Sequence, residues 1–299
     1  MAQLRRGHDA GKGAKGHMIR LILMVGLVII GIFYLRNYFS SAVSTSLDLT
    51  NKPVIQTGEK GDNWLPTSKG NIVEHTYYSL SYIEKYEQAE WVAYDISQQQ
   101  LKRPNVKRTD WFETDPKVIT GSAKHSDYKG SGYTRGHLVP AGDMAFDELA
   151  MKETFYMSNM SPQLRSFNNG IWRELEEQCR DWVYQNKSLF IVSGPVIARN
   201  PSFFKRNKIA IPDAFFKVVL DYSMPQIKAV AFYIPHVTSQ QPLTSYMISI
   251  DSLEKITGID FFYAAKLNSL DQLEATVDKN IWPVSEARYQ LRVNRWNKE

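Results

Sequence analysis

The segment SGYTRGHLVPAGDM, residues 131–144, contains two side chains that could act together on a phosphodiester. Arg135 and His137 are separated by a single residue, and residues two apart on a β-strand project from the same face. A cation that binds phosphate beside an imidazole that can take a proton from water would suit phosphodiester cleavage. A packed histidine beside a surface arginine would give the same short motif, so the rest of the chain must decide.

Two further segments carry polar residues at spacings that fit this chemistry. In YMSNMSPQLRSFNNGIW, Asn159 precedes Asn168 by nine positions, although FNNG alone would be an ordinary helix start. In the helix predicted to follow, Glu176 and Arg180 are four positions apart and therefore on one face, where a surface ion pair is the simplest explanation. The occurrence of all three segments in one chain favours a site over three unrelated structural features.

The hydrophobic pattern predicts the elements that must position these residues. YYSLSYI and EWVAYDIS alternate as strands do, and SLFIVSGPVI, FFKVVLDY and IKAVAFYIPH are three further apolar strands. FDELAMKETFYM and GIWRELEEQCRDWVYQN have helical spacing. Asp251 or Ser252 is predicted to cap a short helix that ends at Gly258. This mixture predicts an α+β fold with a mixed, mainly antiparallel sheet flanked by helices.

The positive charge of the chain is concentrated at its N-terminus. The formal net charge is +5, and residues 1–36 alone hold six basic residues against one acidic residue. The remainder is therefore neutral, and any attraction to a polyanion must come from a local patch. The single cysteine, Cys179, excludes an internal disulfide framework and a Cys-rich zinc site, and its place in a predicted helix indicates a small buried apolar side chain.

A run of fifteen uncharged, mostly aliphatic residues lies between Arg20 and Arg36. We predict that it forms a single-pass membrane anchor, with the basic N-terminus on the cytoplasmic side. A cleaved signal peptide is the alternative, since this length also fits a signal-peptide core. The folded domain is predicted on the exported side, periplasmic or extracellular, in preference to the mitochondrial intermembrane space. The predicted limits are a cytoplasmic tail over 1–20, an anchor over 21–36, a linker over 37–70 and a folded domain with the candidate site over 71–299.

The ordered motifs of this chain resemble those of the DNA/RNA non-specific endonuclease family, the ββα-metal group that includes mitochondrial endonuclease G. The family pattern Asp-Arg-Gly-His is similar to TRGH here, and Ser-Asn-x-x-Pro-Gln is similar to SNMSPQ. FNNGIW and ELEEQCR are similar to the family's Asn before Trp and to the Leu-Glu that follows one helical turn later. The likeness covers about residues 71–270. It implies a ββα-metal nuclease fold over these residues, whereas the single N-terminal transmembrane helix is predicted only from the apolar run before Arg36.

The resemblance implies a role for each matching residue near the reacting atoms. His137 would be the general base that activates water, and a neutral imidazole suits this task at neutral pH. Asn168 would be the single protein ligand of Mg²⁺, for which Mn²⁺ can substitute, since a hydrated Mg²⁺ needs few protein oxygens. Glu176 would orient the water molecules around the metal without binding the metal itself.

The resemblance also implies supporting residues and one departure. Arg135 and Arg180 would face the phosphate, Asn159 would provide hydrogen-bonding support, and Arg108 matches the family arginine that acts on the transition state. Thr134 stands where the family has an aspartate that holds a metal-bound water. A hydroxyl can accept the same hydrogen bond without a negative charge, so metal affinity or rate could be lower.

The sequence therefore predicts a membrane-anchored, Mg²⁺-dependent endonuclease that hydrolyses DNA and RNA. Little sequence preference is expected, because contacts to phosphate and sugar carry no direct sequence information. The substitution at Thr134 leaves open a catalytically weak or inactive nucleic-acid-binding module of the same fold. A structural envelope protein with inherited motifs is a further alternative, and it would neither bind nor cut nucleic acid.

Overall fold

The computed structural model describes residues 64–204, 209–223, 226–265 and 270–298. Its strands are β1 Asn71–Glu74, β2 Ser79–Ile83, β3 Gln88–Ser97, β4 Thr134–His137, β5 Met160–Gln163, β6 Ser188–Val196, β7 Ala214–Asp221, β8 Lys228–Pro235 and β9 Met247–Ile248. Seven of them form one sheet in the order β1-β2-β3-β6-β7-β8-β9, and β4 pairs with β5 in a separate sheet. Every pairing is antiparallel. The predicted α+β class with a mainly antiparallel sheet is confirmed.

Helices lie between the strands and after the last one. Their bounds are α1 Gln98–Leu101, α2 Glu148–Glu153, α3 Arg165–Phe167, α4 Arg173–Asn186, α5 Ile250–Thr257, α6 Leu270–Ala275 and α7 Glu286–Asn294. Short 3₁₀ turns span His125–Tyr128, Met157–Asn159, Leu243–Tyr246, Lys279–Ile281 and Trp296–Lys298. A π-helical turn, Asn168–Trp172, joins α3 to α4.

The predicted transmembrane helix over 21–36 falls outside the residues that the structure describes. Within the described ranges, no helix combines the length and the apolar character needed to cross a membrane.

Both faces of the large sheet are covered, which explains why its central strands are buried along almost their whole length. All eight positions of β7 are buried. One face is covered by the π-helical turn and α4, whose core residues recur at the predicted helical spacing and are each at most 1% exposed: Trp172, Leu175, Cys179 and Trp182. Burial raises the pKa of the Cys179 thiol to about 12, which fits its predicted apolar role. The other face packs against α5 and Trp64.

Helix α2 is shorter than its sequence pattern predicts. The apolar periodicity extends over 146–157, whereas the helix ends at Glu153. It begins as expected, because the side chain of Asp147 accepts hydrogen bonds from two backbone N–H groups of the first turn. Past its end, the backbone of Tyr156 forms a bridge with Glu113 instead of continuing the helix. A long-range pairing has therefore overridden the local preference.

The N-terminal cap of α5 also differs from the prediction. The cap is Ser249, whose side-chain oxygen accepts a hydrogen bond from the backbone N–H of Ser252 at 3.2 Å. Asp251 and Ser252 therefore lie within the first turn. The predicted end of the helix is confirmed, since Gly258 adopts the left-handed conformation (φ +67°) that favours glycine.

Candidate active site

The two-stranded sheet and the helix after it hold most of the residues predicted to be functional. Thr134 lies opposite Gln163 and His137 lies opposite Met160, so β4 and β5 form a short antiparallel pair. The chain then passes through α3 and the π-helical turn into α4. Two strands followed by a helix thus bring residues that are far apart in the sequence into one region.

Thr134 and Asn168 are joined by a side-chain hydrogen bond. The Oγ1 of Thr134 donates its only proton to the carbonyl oxygen of Gln163 at 2.9 Å. It must therefore accept the hydrogen bond from Asn168 Nδ2, which is 3.0 Å away. This fixes the orientation of the amide, with its nitrogen toward Thr134 and its Oδ1 oxygen turned away. Thr134 therefore contacts the predicted metal ligand directly.

His137 is partly buried between two phenylalanine rings. Its imidazole lies 4.9 Å from the ring of Phe155 and 6.0 Å from that of Phe112. The indole N–H of Trp172 donates to its carbonyl oxygen at 3.2 Å, which ties the end of β4 to the start of α4. The Nε2 atom is enclosed and has no hydrogen-bond partner in the described part of the chain. A buried ring nitrogen without a partner costs free energy, so a group that supplied a hydrogen bond to it would stabilise the site.

Burial and two nearby arginines hold His137 in its neutral form. Burial has the larger effect, the positive charges of Arg108 and Arg135 add to it, and together they lower the pKa of His137 to about 3. A neutral imidazole can accept a proton from water. A pKa this low also means that the imidazole is a weak base. A negative group bound beside the two arginines would offset their charge and raise the pKa of His137.

Each of these arginines lies over one of the rings that flank His137. The guanidinium of Arg135 is 4.3 Å from the centroid of Phe112, and that of Arg108 is 4.9 Å from the centroid of Phe155. Arg135 also contacts the ring of His125 at 2.7 Å. Cation–π contacts of this kind fix the position of a guanidinium. The Nε of Arg108 also donates to Oδ1 of Asp110 at 2.7 Å, so the terminal N–H groups of Arg108 are the ones left for a phosphate.

Glu176 and Arg180 both lie on α4, but Arg180 pairs with a different carboxylate. Its Nη1 is 2.7 Å from Oδ1 of Asp143, whose other oxygen accepts a hydrogen bond from the hydroxyl of Tyr94 at 2.8 Å. The surface ion pair between Glu176 and Arg180 that the sequence suggested is therefore absent from the described part of the structure. Sequence reasoning missed Asp143, although it stands in the same quoted segment as His137.

Burial raises the pKa of Glu176 to about 7, against the lowering effect of the positive charges of Lys217 and Arg180. Lys217 is fully buried in β7, hydrogen-bonds to Ser193 and lies 4.8 Å over the ring of Trp172. It is a second missed residue. The signal for it was a lysine within the otherwise apolar strand FFKVV, because a buried ammonium group needs a partner.

Asn159 supports the loop that follows His137. Its Oδ1 accepts from the N–H of Val139 at 2.9 Å, and its Nδ2 donates to the carbonyl oxygens of Val139 and Thr154 at 3.0 and 2.8 Å. The side chain is fully buried and all its hydrogen-bonding groups are used. It therefore acts on the site only through the backbone.

The donor set suits a hydrated, oxygen-binding cation better than a fully protein-bound one. No cluster of three or more histidine, cysteine or carboxylate side chains that could hold a metal occurs among the described residues. Asn168 presents one oxygen that is free of intramolecular hydrogen bonds in the same residue set. One or two protein oxygens are sufficient for Mg²⁺, which keeps most of its waters and binds substrate phosphate.

The chain is similar to several nucleases. It is 33% identical over 230 residues to the mitochondrial nuclease EXOG of Danio rerio, covering 72% of this chain and 67% of that protein. It is 32% identical over 205 residues to human mitochondrial EXOG, covering 63% of this chain but only 56% of that protein. A crystal structure of the complex of EndoG with EndoGI matches with a TM-score of 0.62 at 25% identity, covering 66% of this chain and 87% of that one.

These relatives correct the predicted localisation. The prediction of a single-pass membrane protein with its nuclease domain on the exported side was based on the apolar run before Arg36. The similar proteins of Danio rerio and human are mitochondrial nucleases. The predicted localisation is therefore wrong.

The sequence pattern of one family matches most of the described structure. The DNA/RNA non-specific endonuclease family, a family of metal-dependent hydrolases, matches residues 57–268. The match includes both strands of the small sheet, the π-helical turn and α4. The chain therefore belongs to the DNA/RNA non-specific endonuclease family.

Proposed function

We propose that this protein is a Mg²⁺-dependent endonuclease that hydrolyses phosphodiester bonds in DNA and RNA with little sequence preference. The observation that carries the proposal is the hydrogen bond from Asn168 to Thr134. It places the amide nitrogen of Asn168 against Thr134 and leaves Oδ1 without an intramolecular hydrogen bond among the described residues, and His137 lies three residues after Thr134 on the same strand. A ligand for a metal and a proton acceptor are thus held on neighbouring elements.

His137 would act as the general base. Its enclosed Nε2 has no partner in the described structure, and its neutral form accepts a proton from water. The low pKa comes partly from the two arginines. A phosphate bound to them would offset their charge, so the imidazole would become a stronger base when substrate is present.

Asn168 would hold the metal through Oδ1, and Glu176 on α4 would orient water molecules around it. When bound, a divalent cation supplies positive charge that stabilises the phosphate and the leaving oxygen. Arg135, Arg108 and Arg180 would contact the phosphate. Contacts of this kind recognise the backbone of a nucleic acid and not its sequence.

The test is cleavage of supercoiled plasmid and of single-stranded RNA by the full chain in Mg²⁺, in Mn²⁺ and in EDTA. We expect cleavage of both substrates with either metal and none in EDTA. His137→Ala should lose at least about a hundredfold in rate and still bind nucleic acid. Lys255→Gln, which changes an exposed residue of α5, is the matched control and should cleave normally.

Two outcomes would contradict the proposal. If the folded protein binds nucleic acid in Mg²⁺ without cleaving it, the chain is an inactive binding module of the same fold. If His137→Ala cleaves at nearly the normal rate, a different residue takes the proton.

A further inference from the structure

A cleft of about 680 Å³ opens next to the candidate active site, on the side of Phe112. Its lining includes Phe112, Lys124, His125, Lys152 and Tyr156. The proposed mechanism uses none of the last four. Phe112 and His125 are shared with the active site, because both contact Arg135. The cleft is therefore continuous with the place where the scissile phosphate would bind.

The two lysines at this cleft, Lys124 and Lys152, form no ion pair with any residue that the structure describes. Both are exposed. Lys69 and Lys228, in contrast, are each within 3.7 Å of a carboxylate oxygen. Lys124 and Lys152 come from different segments of the chain and face one cleft, so their charges add there and attract an anion.

The wall formed by Tyr156 is fixed by buried groups. The ring of Tyr156 lies 5.2 Å from the ring of His75, and its backbone bridges to Glu113. His75 is itself buried and lies 2.9 Å from Oδ2 of Asp115. A tyrosine held in this way can pack against a sugar or a base without losing further conformational freedom.

We propose that this cleft binds the nucleic-acid strand beside the scissile bond, with Lys124 and Lys152 on backbone phosphates and Tyr156 against a sugar or base. The inference rests on the proposed function for the position of the scissile phosphate. The ligand is a single-stranded stretch of phosphodiester backbone, for which the two unpaired cations and the aromatic wall are complementary. The carboxylate of Glu113 also lines the cleft, and it is outnumbered by the two lysines.

The first measurement is binding, which does not depend on cleavage. A fluorescent single-stranded 12-mer is titrated with the full chain carrying His137→Ala, at several salt concentrations, and the dissociation constant is obtained from anisotropy. Each phosphate contact on a single strand contributes about 0.7 to the slope of log K against log salt. Adding Lys124→Gln and Lys152→Gln together removes two such contacts, so the slope should become less negative by about 1.4. Adding Lys85→Gln and Lys255→Gln, two exposed lysines elsewhere, should leave the slope unchanged.

The second measurement separates this cleft from the reaction centre. With His137 intact, kcat/KM is compared for the 12-mer and for thymidine 5′-(p-nitrophenyl phosphate), which has no neighbouring nucleotide. The Lys124→Gln/Lys152→Gln protein should lose about tenfold on the 12-mer and keep its activity on the small substrate. An equal loss on both substrates, or an unchanged salt slope, would overturn the cleft as a strand-binding site. If the parent protein cleaves neither substrate but the salt slope falls as expected, the proposed function fails and the binding site stands.

Discussion

The hydroxyl of Thr134 is 3.0 Å from Nδ2 of Asn168 and has no second proton to give, because its own proton is donated to Gln163. Thr134, which stands where the family has an aspartate, therefore orients the predicted metal ligand Asn168 by direct contact. A carboxylate could accept the bond from Asn168, but it could not donate to the Gln163 carbonyl. Threonine at this position satisfies both neighbours.

Removing the hydroxyl should weaken metal binding. In Thr134→Val the amide of Asn168 loses its fixed orientation, and we expect the Mg²⁺ concentration for half-maximal cleavage to rise by about tenfold or more. Thr134→Ser keeps the hydroxyl and should behave as the parent protein. The measurement is cleavage rate against Mg²⁺ concentration. Superimposable curves for the three proteins would mean that Thr134 does not position Asn168 for the metal.

The low pKa of His137 should appear in the pH dependence of stability. A histidine with a pKa of about 3 in the folded state and about 6.5 in the unfolded state binds fewer protons when folded. The free energy of unfolding should therefore fall as the pH drops from about 6.5 toward 3. Between pH 6.5 and 5 this contribution is at most about 2 kcal/mol.

Urea unfolding of the metal-free protein at pH 7, 6 and 5 tests this prediction by comparison with His137→Gln. The variant should lose less stability on acidification than the parent. The raised pKa of Glu176 makes the free energy of unfolding change with pH in the opposite direction. This contribution is common to both proteins and cancels in the comparison. Parallel curves would contradict the low pKa of His137.

The sequence predicted the local features of this site and missed its long-range partners. The helical spacing of the segment that contains α4 was predicted from its apolar residues, and Trp172 and Trp182, which recur at that spacing, are buried. The contacts of Tyr94 and Arg180 with Asp143 depend on how a strand, a loop and a helix pack, and no local pattern specifies that. The domain limits at 71 and 299 stay a prediction.

The π-helical turn that carries Asn168 is a second feature that the sequence did not predict. Gly170 leaves helical geometry there, with φ −93° and ψ −111°. A Cβ atom at this position would be 2.5 Å from Oδ1 of Asn297, so the end of that side chain would have to move. The C-terminal residues therefore contact the backbone next to the predicted metal ligand across more than a hundred residues, which no local pattern specifies.

Lys217 should control the ionisation of Glu176. Its positive charge is the largest influence that lowers the pKa of this carboxyl group, so Lys217→Met should raise that pKa above its value of about 7. If a charged Glu176 orients the metal's water molecules, the acid limb of kcat/KM should move to higher pH. The control is Lys228→Met, since Lys228 lies over Trp282 and not beside Glu176.

The pH profile of kcat/KM at fixed Mg²⁺ checks this prediction. A second comparison, Glu176→Gln with and without Lys217→Met, should show no such shift because the titrating carboxyl group is gone. A shift that persists in the Glu176→Gln background would assign the acid limb to another group.

The buried ion pair between Arg292 and Glu174 should dominate the stability of the C-terminal packing. Arg292 is fully buried on α7 and bonds to Glu174 on α4 and to the carbonyl oxygens of Ser239 and Gln241. Arg292→Met would leave Glu174 as a buried carboxylate without its cation. We expect a loss of about 3–5 kcal/mol in the free energy of unfolding, measured with urea at pH 7.

Two companion variants distinguish loss of the pair from simple loss of packing. Glu174→Gln combined with Arg292→Met removes the unpaired charge and should recover part of the stability. Arg288→Met removes a neighbouring arginine of α7 whose partners Glu177 and Asp181 are partly exposed, and it should cost less than about 1 kcal/mol. Equal losses for Arg288→Met and Arg292→Met would show that burial of this pair does not hold α7 against α4. Because α4 carries Glu176 and Arg180, the larger loss should also lower the temperature at which cleavage activity is lost.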